Sequence, residues 1–177
     1  MQIVKELLGG VLLLESDRQL DKRGSFLKIF QSSHWSQLGL DFEPKEIFYS
    51  TSKQGVIRGM HFQAPPYAMA KLVCCPVGRV TDVLLDLRLG STYGAVADVE
   101  LSPDKGQYLF IPPWIAHGFS ALEEDTVMIY MTNVEYNTAA DQGIHWSSIG
   151  YHWSVLKPII SERDQRHPDF TDFSSPF

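Results

Sequence analysis

Apolar and β-branched residues along this chain come in short runs, and turn-forming residues break them at close intervals. VLLLES, SFLKIF, EIFYSTS, GVIRGMHFQ, KLVCCPV, RVTDVLLDLR, AVADVELS, QYLFIPP, AHGFSAL and TVMIYMTN read as strands. Between them lie DKRG, APPYA, RLGSTYG, SPDKGQ and PPW, rich in the Gly, Pro, Asp and Ser that turns require. About ten strands with no helices interposed predict an antiparallel sandwich or barrel rather than a βαβ sheet, and one jelly-roll-like barrel is the best reading. SSHWSQLGL, residues 32–40, predicts a short helix with a Ser cap. The tail from KPIISERDQRHPDF onward predicts turns and a short helical piece. No internal repeat or linker interrupts the pattern, so residues 1–177 are expected to form a single domain.

Composition narrows the class. Hydrophobic residues make up 44% of the chain and charged residues 20%, ordinary for a soluble globular protein and contrary to disorder. A net charge of -6 disfavours nucleic acid or an anionic membrane as the general partner, while leaving room for a local basic pocket that holds a phosphate. No apolar run would span a bilayer, and MQIVKELLGGVLLLES lacks the basic start and cleavable site of a signal peptide, so a cytoplasmic protein is expected. Cys74 and Cys75 are adjacent, and on a strand they point to opposite faces, which argues against a mutual disulfide. Their apolar neighbours predict buried thiols, in keeping with a reducing compartment.

The polar residues inside the strands are the candidates for chemistry. In GVIRGMHFQ a period of two groups His61 and Gln63 with Gly59 and Ile57 and leaves Arg58 on the other face, unless a bulge at Gly59 re-aims one of them. Tyr130 shares a face with Met128 and Thr132, His117 shares one with Phe119 and Ala121, and Lys71 opens KLVCC. Asp82 and Asp86 lie opposite Val83, Leu85 and Leu87 and are expected to face solvent or pair with a base. Each has a plain structural reading: a hydrogen-bonded strand His, a packed Tyr with a wet hydroxyl, a solvated Lys at a strand end. Metal sites in small β-barrels commonly join two His one residue apart, a Glu and a later His. Phe62 and Gln63 follow His61 instead, and no carboxylate comes before Asp82, so no metal is expected.

Taken in order, DKRGSF, GVIRGMHFQ, KLVCCPVGRVTDVLLDLRLGSTYG, LFIPPWIAHGFSAL, IYMTNVEY, GIHW and ISERD resemble the dTDP-4-dehydrorhamnose 3,5-epimerase (RmlC-like) family of the cupin superfamily, over roughly residues 10–168. The resemblance implies an all-β, RmlC-like cupin jelly-roll barrel with a few short helices. It implies His61 of RGxHxQ as catalytic base, Asp164 of SERD as its orienting carboxylate, Tyr130 as general acid and Lys71 near the sugar's keto oxygen. Arg23 and Arg58 would contact the substrate or its diphosphate, His117 and Tyr136 would line the pocket, and Gln63, Phe26, Glu46 and Phe48 complete the substrate-binding candidates. No metal or organic cofactor is implied. The implied partners are a nucleotide-diphosphate 4-keto sugar and a second copy of the chain, in a homodimer with exchanged N-terminal strands. The implied role is deoxysugar supply, as for lipopolysaccharide, another surface polysaccharide or a glycosylated metabolite.

These residue types suit the reaction. Carbons flanking a ketone lose a proton to give an enolate, and inverting one requires a base on one face and an acid on the other, with positive charge near the oxygen. The sequence departs from the family at Lys28, where Glu is common, at Glu46 and Phe48 in EIFYSTS, where Gln and Asn are usual, at Met131 for a Lys, and at SSIG after Trp146. Phe48 in place of a polar contact would suit a less hydroxylated sugar. The alternatives are a 3,4-ketoisomerase on the same barrel and a non-catalytic sugar-binding cupin. A metal-dependent oxygenase comes last.

Overall fold

Two antiparallel sheets lie face to face, and the chain covers the outer side of each. The computed structural model describes residues 1–177. Its elements run β1 (Gln2–Glu6), β2 (Leu12–Glu15), β3 (Gln19–Asp21), β4 (Gly24–Phe26), α1 (Ser32–Gln37), β5 (Glu46–Ser52), β6 (Ile57–Gln63), β7 (Lys71–Val77), β8 (Val80–Asp86), β9 (Val96–Leu101), β10 (Gln107–Ile111), β11 (Ile115–Ala121), β12 (Thr126–Thr132), β13 (Asp141–Gly143) and α2 (Glu162–Gln165). One sheet has the order β1-β2-β10-β7-β12-β5, the other β13-β6-β11-β8-β9, and β3 and β4 form a separate hairpin. The cupin jelly roll expected from the sequence is the fold observed.

The core has three layers. Between the sheets, Leu13, Val73, Cys75, Leu109 and Met128 pack against Val80, Leu84, Ile115 and Phe119. Outside the larger sheet, Leu14, Leu72, Cys74 and Met131 are covered by Trp35 of α1 and by Phe42. Outside the smaller sheet, Met60, Phe62, Val83 and Leu85 are covered by Trp153, Phe170, Phe173 and Phe177 of the tail. Strands apolar on both faces are therefore buried on both faces. The adjacent cysteines belong to different layers, as their parity requires, and burial pushes both thiols up to about 12.

Several expectations are decided or corrected. Of the two outcomes open to Asp82 and Asp86, solvent or a basic partner, the second holds: both are 0% exposed, paired with His117 and Arg88. Asp82 takes the inward parity of Val80 and Leu84. Helix α1 has Gln31, not a serine, at its cap position, with no side-chain cap, because Ser32 already lies within the first turn. A serine cap occurs instead at α2, where Ser161 Oγ accepts from Asp164 N at 3.1 Å. Ile57 points outward into the tail-covered layer rather than sharing a face with His61. The cause is the bulge at Gly59 that the sequence left open, seen as a register shift between β6 and β11, with Arg58 opposite Phe119 and His61 opposite His117. Gly59 occupies that irregularity at φ 133°, where any Cβ would come within 2.5 Å of Gly118 Cα.

Candidate active site

The shifted register sets the site. Gly59 takes up the extra residue on β6, so Arg58, His61 and Gln63 all turn into the barrel. They meet Lys71 of β7, His117 of β11, Glu46, Phe48 and Ser50 of β5, and Tyr130 and Thr132 of β12 around a cavity of about 340 Å³. It lies at the end of the barrel where β6 and β12 finish and β5 and β7 begin. His61 belongs to the smaller sheet and Tyr130 to the larger, so the two reach the cavity from opposing walls.

His61 is held by the tail. Its Nε2 donates to Asp164 Oδ1 at 2.8 Å, and Asp164 Oδ2 accepts from Gly59 N at 3.1 Å. The carboxylate thus grips both the base and the irregular backbone beside it. Burial would raise Asp164, but the His61 hydrogen bond and charge, with Gly59 and Ser161, hold its carboxyl down at about 2. An ionised Asp164 fixes the proton on Nε2 and leaves the lone pair on Nδ1, which has no partner within the chain. The His61 side chain is 28% exposed. Burial lowers its pKa, Asp164 opposes, and Arg163 and Lys71 reinforce, so a neutral ring is favoured at neutral pH.

On the facing wall Tyr130 is 8% exposed, its ring stacked on Phe48 at 4.8 Å and edge-on to His117 at 6.2 Å. Burial raises its hydroxyl above the usual tyrosine range, which keeps it protonated as a donor. Lys71 reaches across the barrel, and its Nζ donates to His61 O at 3.0 Å. Burial lowers its ammonium to about 8, with Asp141 and Asp82 opposing, so it remains charged at neutral pH. Arg58 donates to Ser52 Oγ at 3.1 Å and Thr51 O at 3.0 Å, at the β5 side of the cavity.

The remaining candidates divide. His117, 4% exposed, lines the cavity with Nε2 at 2.8 and 2.9 Å from the two Asp82 oxygens. Gln63 lines it too, but its amide is engaged by Tyr67 O at 2.8 Å and Asn137 N at 2.6 Å, so it fastens two loops. Glu46 and Tyr136 stand at the cavity together, Glu46 accepting from Tyr136 N at 2.7 Å. Arg23 and Phe26 are not at the cavity of their own chain. They sit on the β3–β4 hairpin, Arg23 ion-paired with Asp21 and Phe26 64% exposed. Residues the sequence reading did not place here include Asp141 and Arg163, paired at 2.7 Å on the cavity wall, and Asp82 behind His117. Arg163 adjoins Asp164 in SERD, and Asp82 shares the parity of inward Leu84; those were the available signals.

A braced imidazole and a buried phenol on opposing walls, with an ammonium between, define a class: an enzyme that exchanges protons on the two faces of a ring. Comparison with known proteins narrows it. Residues 5–172 match the dTDP-4-dehydrorhamnose 3,5-epimerase family, and the chain belongs to that family. It is 37% identical over 176 residues to the dTDP-4-dehydrorhamnose 3,5-epimerase of Shigella flexneri, covering 97% of each chain. Among solved structures, the Bacillus anthracis enzyme with TDP and PPi bound superposes with a TM-score of 0.91 at 31% identity, over 95% of this chain and 98% of that one. The Legionella pneumophila enzyme in complex with dTDP-4-keto-L-rhamnose gives 0.92 at 28% identity, over 98% and 94%. The chain is a nucleotide-sugar epimerase, an isomerase of deoxysugar biosynthesis.

Proposed function

We propose that residues 1–177 form one catalytic domain whose cavity takes a dTDP-linked 4-keto-6-deoxy sugar and inverts C3, C5 or both through His61 and Tyr130. His61 Nδ1 removes the proton from the carbon beside the ketone. The C–H electron pair moves into the enolate, and its charge collects on O4, which Lys71 faces. Tyr130 delivers a proton to the opposite face of that carbon, and the two side chains return to their starting states through solvent. Asp164 stabilises the imidazolium in between. Arg58 supplies a bidentate grip for a phosphate oxygen, which reconciles an acidic protein with an anionic substrate. Phe48, stacked on Tyr130, puts an apolar face against the sugar.

The observation that carries this reading is the placement of base and acid on opposite sheets around one cavity. The test is NMR of the product formed from dTDP-4-keto-6-deoxy-D-glucose. Inverted carbons beside an intact C4 ketone support epimerisation; a carbonyl moved to C3 supports the ketoisomerase instead.

The parts left unused support a homodimer. Strand β1 is exposed along its whole length at one edge of the larger sheet, and β5 at the other edge shows Ile47 and Tyr49 to solvent. Exchange of N-terminal strands would pair these edges and carry Arg23 and Phe26 to the partner's cavity. Mixing inactive Arg23→Ala and His61→Ala chains should then restore part of the activity, and monomers by light scattering would defeat the exchange. The two free, buried cysteines fit a cytoplasmic setting.

A further inference from the structure

His167 has no part in this chemistry, yet it is built against the catalytic pair. Its Nε2 lies 3.7 Å from Asp164 Oδ1, the oxygen that accepts from His61, and its ring meets the His61 ring edge-on at 5.7 Å. That Nε2 is buried and makes no hydrogen bond within the protein. Buried polar atoms are nearly always satisfied, so one facing a carboxylate without a bond calls for an explanation, a bound ion among them. The placement is not loose. Gly143 is the β13 residue directly opposite His61, and a Cβ there would collide with the His167 ring. Its missing side chain is the slot that His167 fills. The segment is tied down beside it, with His145 N donating to Pro168 O at 2.8 Å.

We propose that His61, Asp164 and His167 form a site for a divalent first-row transition metal, Zn²⁺ foremost, and that occupying it switches the base off. Ligand atoms of the three residues all lie within 4.8 Å of one another. Zn–N and Zn–O bonds of about 2.0–2.2 Å in a tetrahedron set ligand separations a little over 3 Å, which the 2.8 and 3.7 Å spacings around Asp164 Oδ1 bracket. Two imidazoles and one carboxylate suit zinc, cobalt or nickel, and are too poor in oxygen for calcium or magnesium. A metal on His61 Nε2 takes that nitrogen's lone pair, and the ring proton moves to Nδ1. The lone pair that would accept the substrate proton is then gone, so binding inhibits. This consequence rests on His61 Nδ1 being the base; the binding itself does not.

The test uses the full-length protein freed of metal with chelator. Titration with Zn²⁺ by calorimetry, and with Co²⁺ by its visible absorption, should show one ion per chain in a nitrogen- and oxygen-ligated site. His167→Gln should weaken binding by more than the about 10–100-fold that loss of an outer-sphere partner costs. In excess chelator that variant should turn over like the parent. At a Zn²⁺ concentration that silences the parent it should stay active. Gly143→Ala is a second probe, because it displaces His167 without removing a ligand, and it should weaken Co²⁺ binding as well. Absence of stoichiometric binding, or binding equally tight in His167→Gln, would overturn the site. Tight binding without inhibition would leave the site standing and remove the base assignment on Nδ1.

Discussion

The barrel holds two His–Asp pairs whose histidines share one sheet, and the two carboxylates are tuned in opposite directions. His61 and His117 face each other across neighbouring strands β6 and β11, and both line the cavity. Asp164 arrives from the tail with three donors around it and is held down at about 2. Asp82 comes from the adjacent strand β8, is 0% exposed, and burial raises its pKa against the opposition of His117. His61 keeps 28% of its side chain open, whereas His117 keeps 4%. The same two residue types thus give an accessible base braced by a firm anion in one place and a nearly closed contact in the cavity wall in the other. Burial and the number of donors on the carboxylate decide which is which.

That contrast can be broken by substitution. His61→Ala should reduce kcat by about 10²–10⁴-fold, the usual worth of a positioned base, while dTDP binding by calorimetry stays near the parent value. Asp164→Asn should come next, because it removes the anion that stabilises the imidazolium. Asp82→Asn should lower kcat less than Asp164→Asn and register mainly as lost stability of about 1–3 kcal/mol in urea unfolding, the cost of a disturbed buried hydrogen bond. Equal kinetic losses from the two Asn variants would erase the distinction drawn between the pairs.

The pH dependence sharpens the same point. Asp164 has a folded pKa below its unfolded value, so its contribution is present above about pH 4 and is lost as pH falls through about 2. At neutral pH it amounts to about 2 kcal/mol, and Asp164→Ala should lose the acid-sensitive part of the unfolding free energy. Asp82 has a raised folded pKa, so it favours the folded state at low pH and that support fades as pH rises through the raised value. Removing Asp82 should therefore alter stability with the opposite pH trend. A further test lies on the alkaline side. Lys71 loses its charge as pH rises through about 8, so kcat should decline there, and Lys71→Met should remove that decline along with much of the rate.

How much of this was legible in the sequence depends on the kind of signal. The long strands were, because residues such as 72–75 of KLVCCPV are buried on both faces and read as an unbroken apolar run, whereas SFLKIF is a strand only to Phe26 and the exposed or short strands β1, β3 and β13 were not. The base, acid and bracing carboxylate were legible only through ordered family motifs, since the residues alone favoured a structural reading for His61 and Tyr130 and an exposed charged turn for SERDQRH. Parity failed at Gly59, where one added residue swaps Ile57 outward and Arg58 inward, and a lone glycine does not declare on which side of the irregularity each neighbour falls. The covering of Phe62 by Phe173 and Phe177 was hidden because the tail has no periodicity of its own. His167 was invisible for a related reason: its neighbours His61 and Gly143 are remote in sequence, and only the fold brings them together.

The central claim is that His61 and Tyr130 work on opposite faces of one ring, and Tyr130→Phe in deuterium oxide tests it most directly. With the sugar's C3 and C5 followed by NMR, the parent should give inverted product carrying deuterium at each inverted carbon. The variant should still wash deuterium into recovered substrate of unchanged configuration, because the base remains while the donor on the far face is gone. Inverted product at the parent's rate from Tyr130→Phe, or no deuterium entering either carbon in the parent, would contradict it.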